Sequence, residues 1–382
     1  MKNFIFITWS LIFSLLGCTN NQSDKAEEKK FSLYVSPFKQ LLFRDDHVSE
    51  GFLAPLNDGK ILLVFRLDPG LGGDHVGTDG YIAKIAYDPE QDKWGNVETV
   101  YNSHQYDDRN IHGGITREGR IVTFFRRFDG SKTEGRYFIY SDDNGKSWTK
   151  PQKSQAWTDP ELTNLDGIWS TGQMFYNPDI NQYAMLGCRR YITFSQDGTS
   201  WENINQITAN QDFKLTEIAG AWCGDNRIIA LIRDDKREYG HPLVQVESYN
   251  GGQTWTDPVP TNIPPNQHWG AAPQMIYDLN RDLLIALNSD RYSRPDEQNS
   301  LFIYTASPED VIGNPEGWTL QHELRRPWAG LDHEVDTVNQ NFYGYPTIAP
   351  INEQEYLVVF TERSKKNGTE HASLYYFRLI IQ

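Results

Sequence analysis

The chain has 382 residues, a formal net charge of −15 and 13% aromatic residues, among them 11 Trp and 20 Tyr. That aromatic content supports a large core and argues against a disordered chain. The acidic balance argues against nucleic acid as a partner, because phosphate binding needs a basic face, although a few local arginines could still hold a small anion.

The N-terminal "MKNFIFITWSLIFSLLGC" combines Lys2, an apolar run and a small residue before Cys18, the pattern of a secretory signal that stands apart from the fold. "LLGC" (15–18) resembles a bacterial lipobox. The resemblance implies that residues 1–17 are a lipoprotein signal peptide, that Cys18 carries lipid, and that the chain is exported. It would be anchored to the bacterial outer membrane, on the periplasmic or cell-surface side, and meet the membrane only through that lipid. A plain signal peptide with a chance Cys is the alternative. Residues 18–30, with the polar "TNNQSDKAEEKK", read as a flexible tether. Residues 31–382 remain as one domain. Only Cys188 and Cys223 follow in it; their spacing is no metal motif, and they are expected to be buried or bonded.

Short strands then alternate with Gly, Asn, Asp and Pro turns, and long helical periodicity is absent. One element recurs: "GKILLVFR" (59–66), "GRIVTFFRR" (119–127), "NQYAMLGCRR" (181–190), "NRIIALIRDD" (226–235), "RDLLIALNSDR" (281–291) and "EYLVVFTER" (355–363). Each is an apolar, β-rich run, the profile of a strand buried on both faces. Between them lies a second repeat, the turns "SDDNGKSW" (141–148), "SQDGTSW" (195–201) and "SYNGGQTW" (248–255). Their Trp148, Trp201 and Trp255 are 53 and 54 residues apart, and another step of 54 back reaches Trp94. A fixed period of this size marks a repeat architecture. Six copies of a four-stranded unit predict an all-β, six-bladed β-propeller. "FSLYVSPFKQLLF" (31–43) is expected to pair with "SLYYFRLIIQ" (373–382) and close the ring. In the Ser-x-Asp-x-Gly-x-x-Trp turns, Asp and Gly make a tight hairpin and Ser and Trp pin it to the blade, so this motif is scaffold.

These turns are Asp-boxes, and over essentially its whole mature length the chain resembles the sialidase (neuraminidase) superfamily. Several glycosidases, some polysaccharide lyases and non-enzymatic propellers share such turns, so function has to come from the site. In "LTEIAGAWCGDNRIIALIRDD", Glu217 and Arg233 stand sixteen residues apart. The resemblance makes Glu217 the carboxylate that polarises the nucleophile and Arg233 a member of a carboxylate-binding Arg triad. In "NFYGYPTIAP" it places the nucleophile at Tyr343, with Tyr345 the alternative if the register slips by two. In "LLVFRLDPGLGGDHVGTDGYIAKI" it implies Arg66 as a second binding Arg and Asp74 as the general acid/base on a Gly-rich loop, with Asp79 as fallback.

The chain also departs from the family pattern. Glu50, in "SEGFLAP", stands where the first triad Arg is expected. The third falls at Arg291 or Arg294, although the matching position is Gln298 or Asn299. A carboxylate in place of a bidentate Arg weakens binding of an acidic sugar. Aromatic and imidazole side chains complete the candidates for stacking and hydrogen bonding: His112 in "NIHGG", Trp169 in "LDGIWST", and His268 and Trp269 in "NQHWGAAP". No zinc-type His/Glu spacing or phosphate-cradling loop is found, and no metal or cofactor is expected. The expected activity is that of an exo-acting glycoside hydrolase releasing a terminal sugar with retention, on a neutral or atypical sugar and not on sialic acid. The alternatives are a polysaccharide lyase using His112 and a Tyr beside a uronate, and a non-catalytic glycan-binding propeller. In every case the partner is a carbohydrate.

Overall fold

A computed structural model describes residues 31–44, 47–69, 79–154, 172–187, 191–208, 215–234, 237–265, 270–290, 300–325, 342–366 and 369–382. The signal peptide, the tether, Cys18, Asp74, Trp169, Cys188, His268, Trp269, Arg291 and Arg294 lie outside them.

After β1 (Leu33–Val35) and β2 (Lys39–Arg44), six antiparallel sheets follow in chain order. Blade 1 holds β3 (His47–Pro55), β4 (Ile61–Asp68), β5 (Tyr81–Asp88), and the short β6 (Lys93–Trp94) and β7 (Glu98–Tyr101), which both pair with β5. Blade 2 is β8 (Asp107–Ile115), β9 (Ile121–Phe128), β10 (Thr133–Ser141) and β11 (Gln152–Lys153). Blade 3 is β12 (Phe175–Asn177), β13 (Gln182–Gly187), β14 (Tyr191–Ser195) and β15 (Trp201–Gln206). Blade 4 is β16 (Leu215–Trp222), β17 (Ile228–Asp234), β18 (Leu243–Ser248) and β19 (Val259–Pro260). Blade 5 is β20 (Gly270–Asp278), β21 (Leu283–Asp290), β22 (Ser300–Ala306) and β23 (Thr319–Arg325), with a short helix α1 (Pro308–Val311) between the last two. Blade 6 is β24 (Phe342–Pro350), β25 (Glu355–Lys366) and β26 (Thr369–Ile381).

The outer edge of blade 6 is completed from the other end of the chain. β1 and β2 both pair with β26, Leu33 opposite Ile381 and Phe43 opposite Ser373. The ring is therefore closed as expected. Radial repetition leaves only short sheet edges exposed.

The six recurring apolar runs are the second strands of the blades, and the innermost strand precedes each of them. Their unbroken hydrophobicity follows from this position, because a neighbouring blade covers each face. In β4, Ile61, Leu63, Phe65 and Leu67 pack against Val359 and Tyr376 of blade 6, whereas Leu62 and Val64 pack against Ile111 and Phe125 of blade 2. In β17, Ile229 and Leu231 face Leu284 and Phe302 of blade 5, whereas Ile228, Ala230 and Ile232 face Ile192 and Phe194 of blade 3. Each such side chain contributes about 1.5–3 kcal/mol by leaving water, so the core is distributed around the ring between successive sheets.

The Asp-boxes work as rivets between blades. Ser141 Oγ accepts from the Gly145 amide, Asp143 accepts from Ser147, and Trp148 Nε1 donates to Gly145 O. Ser195, Asp197, Gly198 and Trp201 repeat the arrangement in blade 3. Gly145 needs to be glycine twice over: its φ is +78°, and a Cβ there would lie 2.7 Å from Leu62 Cδ2 of blade 1. The turn at Trp94 does not carry the motif; instead, its indole packs 4.8 Å from Tyr87 and 5.5 Å from Tyr376, tying blade 1 to blade 6.

Candidate functional site

Five innermost strands break their register near their start. The irregularities fall between Ser49 and Gly51 in β3, Arg109 and His112 in β8, Leu215 and Ile218 in β16, Ala271 and Gln274 in β20, and Gly344 and Thr347 in β24. A bulge re-aims the side chains beside it, and bulges concentrate at functional rims. Three of the bulged residues, Asn110, Ala272 and Tyr345, hold left-handed backbone at φ 56°, 43° and 49°. Asn tolerates this region, but Ala and Tyr pay on the order of 1–3 kcal/mol for it.

Three of the described candidates, Glu50, Glu217 and Tyr345, lie within these bulges. Glu50 is the extra residue of β3, and Tyr343 lies in β24 opposite Glu362, two positions before the bulge; the side chains of both lie outside the described residues. Tyr345, the alternative nucleophile, occupies the bulge itself and is half-buried. Asp79, the fallback acid, is exposed next to Gly80.

Glu217 and Arg233 do meet. Arg233 lies opposite the Thr216–Glu217 bulge, and its Nη1 donates to Glu217 Oε2 at 3.0 Å. The amide of Ala272, in its left-handed bulge on the next blade, donates to the same oxygen at 2.7 Å. The two residues, Glu217 and Arg233, are 4% and 7% exposed. The carboxylate is thus oriented by one cation and one strained backbone amide, each from a different strand. Arg233 acts on Glu217, a different partner from the substrate carboxylate that the resemblance implies.

Arg66 also has other partners than expected. It is 1% exposed; its Nη2 donates to Asp68 at 2.6 Å and its Nε to Asp107 at 3.0 Å. Arg109 Nε donates to the second oxygen of Asp107 at 2.7 Å. The result is a buried chain of alternating charge, Asp68–Arg66–Asp107–Arg109, linking blades 1 and 2. A substrate carboxylate brought to Arg66 would meet two protein carboxylates already in place. Beside this chain Arg126 donates to Asn110 Oδ1 at 2.5 Å, and Arg109 and Arg126, cross-strand partners, lie over the Phe128 ring at 4.5 and 5.2 Å. Sequence reasoning missed Asp68, Asp107, Arg109 and Arg126. The available signal was "DDRN" just before "IHGG": three charges in a strand that is buried along its length.

His112 follows the blade 2 bulge. It is 5% exposed and stacked 5.5 Å from Phe124. Its Nδ1 lies 2.7 Å from Asn110 O. A carbonyl only accepts, so Nδ1 carries the proton and Nε2 keeps its lone pair. Among the described residues Nε2 has no hydrogen-bond partner. Burial pushes the imidazole down to about 4, against a smaller opposing effect of the Asn110 carbonyl. Four residues earlier, Asp108 is raised to about 6, mainly by burial, against the Ser103 amide and Arg127, whose Nε is 3.7 Å away. Cys223 is a free, buried thiol pushed up to about 12, chiefly by burial. No group of three His, Cys, Asp or Glu among the described residues is arranged to hold a metal ion.

Six antiparallel blades, three of them carrying Asp-boxes, with bulged inner strands carrying charge at one end, define a sialidase-like propeller. The chain belongs to the BNR repeat-like domain family, whose model matches residues 72–355. A Dyadobacter fermentans protein of unknown function is 16% identical with a TM-score of 0.72, covering 92% of this chain and 100% of that one. The intramolecular trans-sialidase from Ruminococcus gnavus, solved with oseltamivir carboxylate, is 12% identical with a TM-score of 0.62, covering 89% of this chain and 94% of that one. Trypanosoma rangeli sialidase, solved as a covalent intermediate with 2,3-difluorosialic acid, is 13% identical with a TM-score of 0.58, covering 87% of this chain and 53% of that one. At these identities the likeness is one of fold. Among curated proteins none matches the sequence.

Proposed function

We propose that the protein is an exo-acting glycoside hydrolase that releases a terminal, uncharged sugar at the bulged end of the propeller. The observation that carries this reading is the Glu217 carboxylate, fixed by Arg233 and by the Ala272 amide on an inner strand. In the proposed reaction Tyr343 attacks the anomeric carbon while Glu217 draws on its phenolic proton, and Asp74 protonates the departing glycosidic oxygen. Water, deprotonated by Asp74, then cleaves the glycosyl–tyrosine bond and restores the starting configuration. Trp169, Trp269 and Arg291 would contact the sugar. The preference for an uncharged sugar follows from charge already spent: Arg66 is bonded to Asp68 and Asp107, Arg233 to Glu217, and Glu50 stands where the first triad Arg is expected.

His112 supports a second reading. A buried, neutral imidazole with an unpartnered Nε2 among the described residues suits proton abstraction beside a uronate. The two are separated by product analysis on sialosides and plant, algal and host glycans, following reducing ends and unsaturated-uronate absorbance together. Hydrolysis gives new reducing ends without absorbance, and the activity falls at least about 100-fold in Glu217→Gln and Tyr343→Phe. Loss in Tyr345→Phe alone would move the nucleophile to Tyr345. Rising absorbance that His112→Gln abolishes would establish the lyase, and silence in both channels would leave a binding protein. We also propose export with lipid on Cys18, tested by palmitate labelling of the parent chain and of Cys18→Ala.

A further inference from the structure

The inner strands end, at the opposite face, on a second site. Blades 3 to 6 enclose a cavity of about 640 Å³ there, within the range of roughly 300–1,000 Å³ usual for small-molecule sites. Its walls are Met174, Tyr176, Trp222, Met275, Tyr277 and Leu279. On β16, Glu217 stands at the bulged start and Trp222 at the other end, five steps apart and roughly 17 Å along an extended strand. The cavity is therefore distinct from the mouth that holds Glu217.

The aromatic walls are held rigidly by their polar tips. Trp222 Nε1 donates to Asp179 at 2.7 Å, Tyr277 Oη to Asp282 at 2.7 Å, and Tyr176 Oη to Asn181 at 2.6 Å. Trp222 and Tyr277 meet edge to face at 6.0 Å, and both stay half-buried. With the tips engaged, what remains for a ligand is ring face and ring edge, the surface on which the C–H faces of a sugar stack. Asn280 and Asn352 stand exposed among the lining residues; Asn352 Oδ1 already accepts from the Gln354 and Glu355 amides, so Asn352 offers its NH2 group to hydroxyls, while Asn280 can both donate and accept. Among the described residues the lining contains no Lys, Arg or His, and its two carboxylates are Asp278 and Glu353; just outside it, Arg117 lies 4.9 Å over the Tyr176 ring and donates to its Oη. Asp278 is already bonded to Tyr356 and Arg281. The exposed Glu353 carboxylate disfavours a uronate or sialic acid beside it, whereas an uncharged glycan meets no such opposition.

We propose that this cavity is a second glycan-binding site that takes a neutral oligosaccharide segment. It is independent of the chemistry at the mouth and would hold the protein on a polysaccharide while the bulged end works elsewhere. The test is affinity electrophoresis of residues 19–382 through gels containing arabinoxylan, galactomannan, pullulan or polygalacturonate. At least one neutral polysaccharide retards the parent chain and polygalacturonate does not. Trp222→Ala and Leu279→Asp weaken that retardation at least tenfold, while Glu217→Gln, at the mouth, leaves it unchanged. Leu279 is 65% exposed, so its substitution does not endanger folding. Absence of retardation by every neutral polysaccharide, or retardation that survives Leu279→Asp, or that disappears in Glu217→Gln, would overturn the proposal. Activity of Glu217→Gln, measured separately, tests the hydrolase reading without touching this one.

Discussion

The same inner strands behave differently at their two ends. At their start they are bulged, they carry buried charge, and Ala272 and Tyr345 hold left-handed backbone. At their finish β16 and β20 keep regular pairing, Trp222 with Ile228 and Asp278 with Leu283, and present aromatic and apolar side chains. A strand in register alternates its side chains between the two neighbouring blades, which suits packing but leaves none directed along the axis. A bulge breaks that alternation, at the cost of ladder bonds and backbone strain. The propeller is regular where it packs and irregular where a carboxylate has to be aimed.

The most severe way to break this contrast is to remove a charge from the bulged end. Asp107→Ala leaves Arg66 and Arg109 without their shared carboxylate, and Glu217→Ala removes the carboxylate to which the buried Arg233 donates. Each is expected to cost about 3–5 kcal/mol in urea unfolding, whereas Glu217→Gln, which keeps an oxygen for the Ala272 amide, loses activity with less than half that loss of stability.

A pH series comes next, because two groups on β8 oppose one another. His112 titrates near 4 in the folded chain, below its ordinary 6.5, so its contribution to stability is lost as pH falls through that window. Asp108 titrates near 6, above its ordinary 3.8, so its contribution is present at low pH and lost as pH rises through that window. Each amounts to about 3 kcal/mol at most. Between pH 4 and 6 the parent should show a nearly flat stability profile. Asp108→Asn should make stability climb with pH, and His112→Gln should make it fall; parallel profiles for all three would remove this account.

At the aromatic end, Trp222→Ala should cost about 2 kcal/mol, since the indole is half-buried, and should leave turnover of a small soluble glycoside unchanged. The smallest effect compares one substitution at both ends. Ala221→Gly, in regular strand, is expected to cost about 1–2 kcal/mol. Ala272→Gly should cost less, because relief at φ 43° offsets the greater freedom of the unfolded chain. Equal losses by chemical denaturation would mean that the bulged end stores no strain.

What could be read from the residues, and what could not, follows the same division. The Asp-boxes, the six doubly buried runs and the closure of residues 31–43 onto 373–382 were legible because they repeat or alternate with a fixed period. The sixteen-residue spacing of Glu217 and Arg233 was also legible, since it spans one hairpin and brings both to the same level of β16 and β17. The bonds from Arg66 to Asp107 and from Ala272 to Glu217 were not: they join residues 41 and 55 positions apart on different blades, and no local pattern records them. Nor does composition mark Ala272 or Tyr345 as left-handed. The aromatic cavity was missed for another reason, that Trp and Tyr at strand ends look the same in a sequence whether they fill a core or line a hollow.

The pairing of β1 and β2 with β26 has a consequence in time. Residues 33–44 are made about 325 residues ahead of their partner strand, residues 369–381. At about 5–20 residues per second the delay is on the order of tens of seconds. Throughout that interval the first strands hold an unmatched ladder edge, a template for any passing chain. Until that sheet is completed, pairing with another chain competes with closure of the ring, and this edge is where a chaperone has most to protect.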